Sequence, residues 1–417
     1  MTQKIYSHQL ANGFTLVAEE MDWLESAAFS LIVPAGCMRE DRQDGGLANL
    51  TCELVERGAG SRDSRQLVAD LENLGADCSG TCGNTHSSFG GAMPAESLAK
   101  VLGIYADVVR RPHLPEDQLD DARLACLQEV NALEDDLAQR TMIRLREEFY
   151  GDPWGRSCHG TEASLTAQTG DTVRKFFETH YRPDETILSV AGKIDWPALK
   201  DHVEGLFGDW KRNVVAPPQE KKGLQKYAHI QADSSQTHIG IAFQGQSYSS
   251  SDYFPLRGAV GVLGDGMSSR LFTEVREKRG LAYTVYASCH SLRDRGAVLA
   301  YAGTTGERAQ ETIDVLLEEL TRVAQGVQAD ELARLKGRIK RALILQQESS
   351  PARASNIAAD WYYLGRVRTR NELGQLVDSI TCETVNAYLK SHPPGDFTIV
   401  SLGAKPLQVP GQSHSVA

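Results

Sequence analysis

The sequence carries one order of parts twice, and that duplication is what most limits its fold. FSLIVPAG (29–36) and HIGIAFQG (238–245) both read as buried strands running into a glycine. LPEDQLDDARLACLQEV (114–130) and VQADELARLKGRIKRAL (327–343) both read as helices opened by acidic residues, which suit the positive end of a helix. EEFYG (147–151) answers to DWYYLG (360–365), and TILSVAG (186–192) to FTIVSLG (397–403). The offsets are nearly constant: 213 between Asp117 and Asp330, 214 between Gly151 and Gly365, and 211 between Gly192 and Gly403. Identity between the copies is low, so the duplication rests on order and spacing.

Each copy alternates short strands with longer helices. Ile313, Leu316, Leu317, Leu320 and Val323 make one apolar stripe, and Leu332, Leu335, Ile339 and Leu343 make another. Strands arrive in adjacent pairs, as in FTLVAE then AAFSLIVP, and helix pairs separate them. The pattern predicts an α+β fold of two homologous domains, each a largely antiparallel sheet with helices packed on one face. VVAPPQEKKGLQKY (214–227) combines a Pro pair, a charge run and no periodicity, so it reads as a linker between domains at 1–213 and 228–417. KPLQVPGQSHSVA (405–417) reads as a loose polar tail.

A net charge of −11 argues against a nucleic-acid or anionic-membrane surface. No apolar run reaches the length of a membrane span. MTQKIYSHQLANG lacks the apolar core of a secretory signal, which points to the cytoplasm. The eight cysteines are 37, 52, 78, 82, 126, 158, 289 and 382; they form no C-x-x-C pair and read as buried, reduced thiols. Cys78, Cys82 and His86 are a grouping with metal-ligand chemistry, but Gly80 and Gly83 interrupt any helix there.

Two stretches carry the functional argument. In GGLANLTCELVERGAG (45–60), Asn49, Cys52 and Glu53 stand at i, i+3 and i+4 of an amphipathic helix. That is the spacing of the zinc motif H-x-x-E-H, with neither His present. Asn is a poor zinc ligand, and Asn49 and Glu53 read as surface-facing beside the stripe of Leu47, Leu50, Leu54 and Val55. Downstream, Glu129 borders the buried face of a helix carrying Leu119, Ala122, Cys126, Val130 and Leu133, where a carboxylate is usually paired with a base or hydroxyl.

The second stretch, LGDGMSSRLFTEVREKRGLAYTVYA (263–287), reads as a glycine turn, a helix from about Ser268 to Lys278, Gly280 as its closing residue, and a strand from Tyr283. Its G-x-G lacks the Lys-Ser/Thr of a phosphate loop. Arg276 ends the helix and Tyr283 opens the strand, so both side chains reach one cleft. A guanidinium and a phenol are suitable donors for a peptide carbonyl or a developing oxyanion; a surface Arg pair with a half-buried Tyr is the plainer alternative. His159 and His290 stand isolated and read as structural.

Taken together, these stretches resemble the pitrilysin/insulinase family of zinc peptidases, in the manner of its short bacterial members and the mitochondrial processing peptidase subunits. The resemblance runs from LANGFTLVAEE to FTIVSLG. It places the two ligand His positions on Asn49 and Glu53, the general-base Glu on Cys52, the third ligand Glu on Glu129, and the substrate-binding Arg and Tyr on Arg276 and Tyr283. It implies a two-domain chain that makes half of a clamshell chamber, holds no zinc itself and has no activity alone. It further implies a heterodimer with a paralogous, zinc-bearing subunit that hydrolyses extended, unfolded peptides, a homodimer being the assembly open to the isolated chain. The alternative is a purely structural role like that of respiratory-complex core subunits. A self-sufficient enzyme using Cys52, Glu53 and Glu129 on another metal lacks both ligand His and the base.

Overall fold

The computed structural model describes residues 3–223, 225–346 and 348–409. The chain forms two compact units: Met1–Ala132, Arg156–Glu220 and Leu345–Arg368 make the first, and Leu133–Gly155, Lys221–Ile344 and Thr369–Ala417 the second. Among the described residues, no helix is long and apolar enough to cross a membrane.

The first unit is built on a six-stranded sheet in the order Lys4–Gln9, Thr15–Glu20, Ile187–Gly192, Ser26–Val33, Ser87–Pro94, Asp77–Cys82. Among the described residues its one parallel pair is Thr15–Glu20 with Ile187–Gly192; the other four are antiparallel. The second unit has five strands, in the order Ala282–Ser291, Gly296–Thr305, Gln236–Gln244, Thr398–Gly403, Tyr227–Gln231. Among its described residues, again, one pair is parallel, Thr398–Gly403 with Tyr227–Gln231. The two sheets share one topology, as the repeated order of parts requires. Apart from the extra edge strand Lys4–Gln9, the strand that ends each half inserts between two strands consecutive in sequence, Thr15–Glu20 and Ser26–Val33 in the first sheet and Tyr227–Gln231 and Gln236–Gln244 in the second. Ile187–Gly192 and Thr398–Gly403 are buried along their whole length, as fits central strands covered on both faces.

One face of the first sheet packs Leu16, Phe29, Leu31, Phe89, Leu188 and Val190 against the helices Leu47–Val55 and Leu98–Arg110. The opposite face also carries a helix, Ser350–Leu364: Ile357 packs on Val17, Ile32 and Ile187, and Ala354 on Met21, Ala28 and Ala191. The second sheet is covered in the same way by Leu137–Tyr150, with Met142 and Leu145 against Ala228, Ala242, Leu299, Tyr301 and Val400. Small residues let this helix approach closely; a Cβ on Gly240 would lie 3.2 Å from Leu145 Cδ2. These are the two helices that end in EEFYG and DWYYLG. Each half of the sequence lends that helix to the other unit, so the compact units depart from the contiguous halves that the linker suggests.

The exchanged helix of the first unit is pinned by a buried ion pair, Arg353 Nε to Glu19 Oε2 at 2.7 Å. In the second unit, the segment expected to be a loose linker is docked: Lys221 and Asp152 exchange two backbone hydrogen bonds of 2.8 and 3.0 Å. The tail is less loose than its composition suggests, because Leu407 is buried in the second core and its N–H donates to the Tyr227 hydroxyl at 2.7 Å. Residues 410–417 of that tail lie outside the described residues.

Candidate functional site

The helix Leu47–Val55 starts at Gly46, whose φ of 89° lies in the left-handed region. Its first N–H groups are satisfied from outside the helix: the Glu40 carboxyl accepts from Ala48 N at 2.6 Å and from Gly46 N at 3.3 Å. Leu47, Leu50, Cys52, Leu54 and Val55 all enter the core.

Asn49 departs from the surface-facing reading, because it is buried. Its Nδ2 donates to Glu129 Oε2 at 2.7 Å and to Cys126 Sγ at 3.6 Å. The sequence thus identifies two members of this contact but misses the third. His159 is not isolated: its Nδ1 lies 3.3 Å from the same Glu129 oxygen. No local pattern marks it, since it comes from the loop that follows the exchanged helix. His159 first, and then Asn49, hold the Glu129 carboxyl below the usual carboxylate range, against an opposing push from burial. Glu53 lies one turn from Asn49 and pairs with Arg57 at 3.8 Å. Burial raises its carboxyl above the usual range, Arg57 opposes this, and the nearby Glu129 adds to it. Cys52 is 3% exposed, and burial pushes its thiol well up, so the position that would hold a catalytic base carries a protonated core side chain.

These residues do not fit zinc. The nearest group to Glu129 is an amide that presents N–H hydrogens rather than a lone pair, Glu53 is turned to a guanidinium, and the Cys52 thiol belongs to the core. Among the described residues no group of three or more His, Cys, Asp or Glu side chains is arranged to hold a metal ion. Cys78 and Cys82 lie on the strand Asp77–Cys82, and the half-buried His86 ring interacts with the Thr85 hydroxyl at 2.8 Å. Burial lowers the His86 imidazole to about 4. His290 is satisfied by the Tyr150 hydroxyl at 2.8 Å, in keeping with a structural role.

In the second unit the glycine turn leads to a helix that is π-wound from Phe272 to Glu277, with Lys278 N bonded to Thr273 O at 2.9 Å. Single-turn π segments of this kind recur at functional sites. Gly280, at φ 59°, closes it, and the chain enters Ala282–Ser291, the outer strand of the sheet. The register of this strand against Gly296–Thr305 shifts between Ala282 and Thr284, which sets Tyr283 at an irregularity. The Arg276 guanidinium lies 4.8 Å from the ring centres of both Phe272 and Tyr283, so the two expected residues do meet, stacked as cation and ring. Tyr283 is 82% exposed. Lys278 and Arg279 turn instead to Glu274. The pair therefore presents a cation, a phenol and an open strand edge on one surface.

Two α+β units of one topology, one with the frame of a zinc helix and the other with an exposed Arg–Tyr pair, define the class as an insulinase-type peptidase scaffold. The profile described as insulinase (peptidase family M16) matches residues 16–162, and the one described as peptidase M16 inactive domain matches 168–339. The chain belongs to this M16 family. An uncharacterized zinc protease of Rickettsia felis is 24% identical over 387 residues, covering 92% of this chain and 94% of the relative. One from Bacillus subtilis is 26% identical over 391 residues, covering 93% and 95%. A crystal structure titled as a peptidase M16 inactive domain, from Pseudomonas fluorescens, shares the fold with a TM-score of 0.88 at 21% identity, covering 98% of this chain and 99% of that one. A Helicobacter pylori protease structure gives 0.85 at 20% identity, covering 97% and 100%.

Proposed function

We propose that the chain is the zinc-less subunit of a heterodimeric peptidase. It lends Arg276 and Tyr283 to a paralogous subunit that carries the zinc ligands, and the pair hydrolyses extended, unfolded peptides in the cytoplasm. One contrast carries this reading. The zinc-motif positions are closed on themselves by the Asn49–Glu129 hydrogen bond, whereas the Arg276–Tyr283 pair is preformed and faces solvent. Tyr283 lies on the outer strand of its sheet, where a peptide adding as a further strand would bring its carbonyls beside the donors. The guanidinium and phenol then orient the peptide and stabilise charge developing on its carbonyl.

The test mixes the purified chain with a paralogue bearing H-x-x-E-H and follows cleavage of a quenched fluorescent peptide. The mixture cleaves and neither chain alone does. Arg276→Ala or Tyr283→Phe lowers turnover by about 10- to 1,000-fold with the partner's zinc content unchanged. A scaffold role is the second reading, and the stacking of Arg276 between Phe272 and Tyr283 favours it, because packing alone would also keep such a pair. Normal cleavage by both variants decides for the scaffold.

A further inference from the structure

Three of the cysteines, scattered in sequence, gather in space. Cys37 begins a short turn after the strand Ser26–Val33, Cys82 ends the strand Asp77–Cys82, and Cys158 lies in the loop before the helix Glu162–Ala167. Cys37 Sγ and Cys158 Sγ are 3.0 Å apart, and Cys158, with burial, holds the nearby Cys82 thiol well above its ordinary range. None of the eight cysteines is in a disulfide.

The backbone holds these sulfurs in place without help from a covalent bond. Cys37 N donates to Gly83 O at 3.1 Å, and Met38 N to Asn84 O at 2.9 Å. Arg156 Nη1 donates to Cys37 O at 3.1 Å and also to Glu40 O. Asn84 Nδ2 donates to Arg156 O at 3.3 Å. Three thiols beside an imidazole are a soft ligand set. Here, however, the His86 ring is turned to Thr85, and among the described residues no such group has the arrangement of a metal site. The contact therefore reads as thiol chemistry.

We propose that Cys37 and Cys158 form a thiol–disulfide couple that exchanges with low-molecular-weight disulfides and clasps the His159 loop to the turn that caps the Leu47–Val55 helix. Cys158 is half-buried and Cys37 fully buried, so Cys158 is the point of entry. The Cys158 thiolate attacks one sulfur of a disulfide RSSR, such as oxidised glutathione; a Cys158–S–SR bond forms and RS⁻ leaves. Cys37 gives up its proton, its sulfur attacks the Cys158 sulfur, and the second RS⁻ leaves. The two protein thiols lose two electrons, RSSR gains them, and the two protons end on two RSH molecules. The neighbouring Cys158 thiol and burial keep the Cys37 thiol well above its ordinary range, which suits it to the second step rather than the first. The new bond lies one residue from His159 and three from Glu40, so it ties the loop that carries a Glu129 partner to the cap of the Leu47–Val55 helix.

The full chain is incubated with excess oxidised glutathione at mildly alkaline pH. Remaining thiols are then alkylated, and the protein is digested without reduction for mass spectrometry. The expected product is a peptide pair joined through Cys37 and Cys158, lighter by two hydrogens, with Cys82 alkylated and the link reversed by dithiothreitol. In Cys37→Ser, Cys158 instead keeps a glutathione adduct. The proposal is overturned if wild type shows Cys158 only as an adduct with Cys37 alkylated, if Cys158 is unmodified, or if Cys158 is joined to Cys82.

Discussion

The exchange of helices can be tested at the Glu19–Arg353 pair. The two side chains are 4% and 5% exposed. Glu19 Oε2 accepts from Arg353 Nε at 2.7 Å and from Nη2, and Oε1 accepts from Gln3 Nε2 at 2.8 Å. Arg353→Met keeps the bulk of the side chain and strands a buried carboxylate with one amide partner. Breaking one side of such a pair costs about 3–5 kcal/mol, whereas replacing both members with apolar residues of similar volume is often close to neutral. Glu19→Leu with Arg353→Met should therefore recover most of the loss.

Native-state hydrogen exchange reads this locally, since it reports the opening of one unit without requiring the whole chain to unfold in one step. Amides of Thr15–Glu20 and Ile187–Gly192 should exchange about 10²- to 10⁴-fold faster in the single variant and near the wild-type rate in the double. Those of Gln236–Gln244, in the other sheet, serve as the internal control. Acceleration of less than about fivefold in Arg353→Met corresponds to the value of an exposed pair and would refute the buried docking of Ser350–Leu364 on the first sheet.

Three further outcomes follow from the sites. Asn49→Ala should cost about 1 kcal/mol in urea unfolding, because it removes a charge-assisted donor to a carboxylate that is partly exposed. Glu129 sits below its ordinary value of 4.5, so its contribution is present above that pH and fades as pH falls, and Asn49→Ala should flatten this acid dependence. Glu40 behaves oppositely: burial raises it to about 8, so its contribution is full below its ordinary 4.5 and is lost as pH rises through 8. Glu40→Gln should flatten melting temperature between pH 5 and 8 in thermal scans; equal slopes in both proteins would contradict this. Arg276→Ala should destabilise the isolated chain by no more than about 1 kcal/mol, since its stacking partner Tyr283 is largely exposed, and a loss above about 3 kcal/mol would mark the pair as structural.

The parts legible in the sequence were those written locally. The apolar stripe of Leu332, Leu335 and Ile339, the glycine that closes the Arg276 helix, and the repeated strand TILSVAG each depend on residues within a few turns of one another. The insertion of Ile187–Gly192 between Thr15–Glu20 and Ser26–Val33 is a long-range choice that no local period records. The exchanged helices left only an indirect trace. Strands such as ILSVAG are apolar at successive positions, which requires cover on both faces but does not say which helix supplies it. Asn49 looked exposed because it is polar; its burial depends on Glu129, which sits on another helix and satisfies the amide. His159 and the Cys37–Cys158 contact come from loops whose positions only the assembled unit fixes.

The frame of the zinc helix survives because its core positions do not depend on the metal. Leu47, Leu50, Cys52, Leu54 and Val55 pack the first core, and the Glu40 cap holds the helix start. Loss of a metal would leave Glu129 as a half-buried charge lacking compensation, but Asn49 and His159 supply two donors in its place. This predicts what a rebuilt motif would meet. Asn49→His, Cys52→Glu and Glu53→His together restore H-x-x-E-H beside Glu129, yet His159 still competes for the same carboxylate oxygen. Zinc titrated calorimetrically into the triple variant should bind weakly, and adding His159→Ala should tighten it by about 10- to 100-fold, the scale on which partners around a ligand act. Equal affinity with and without His159 would show that this imidazole does not hold Glu129 away from a metal, and that the obstacle lies instead at the buried position 52.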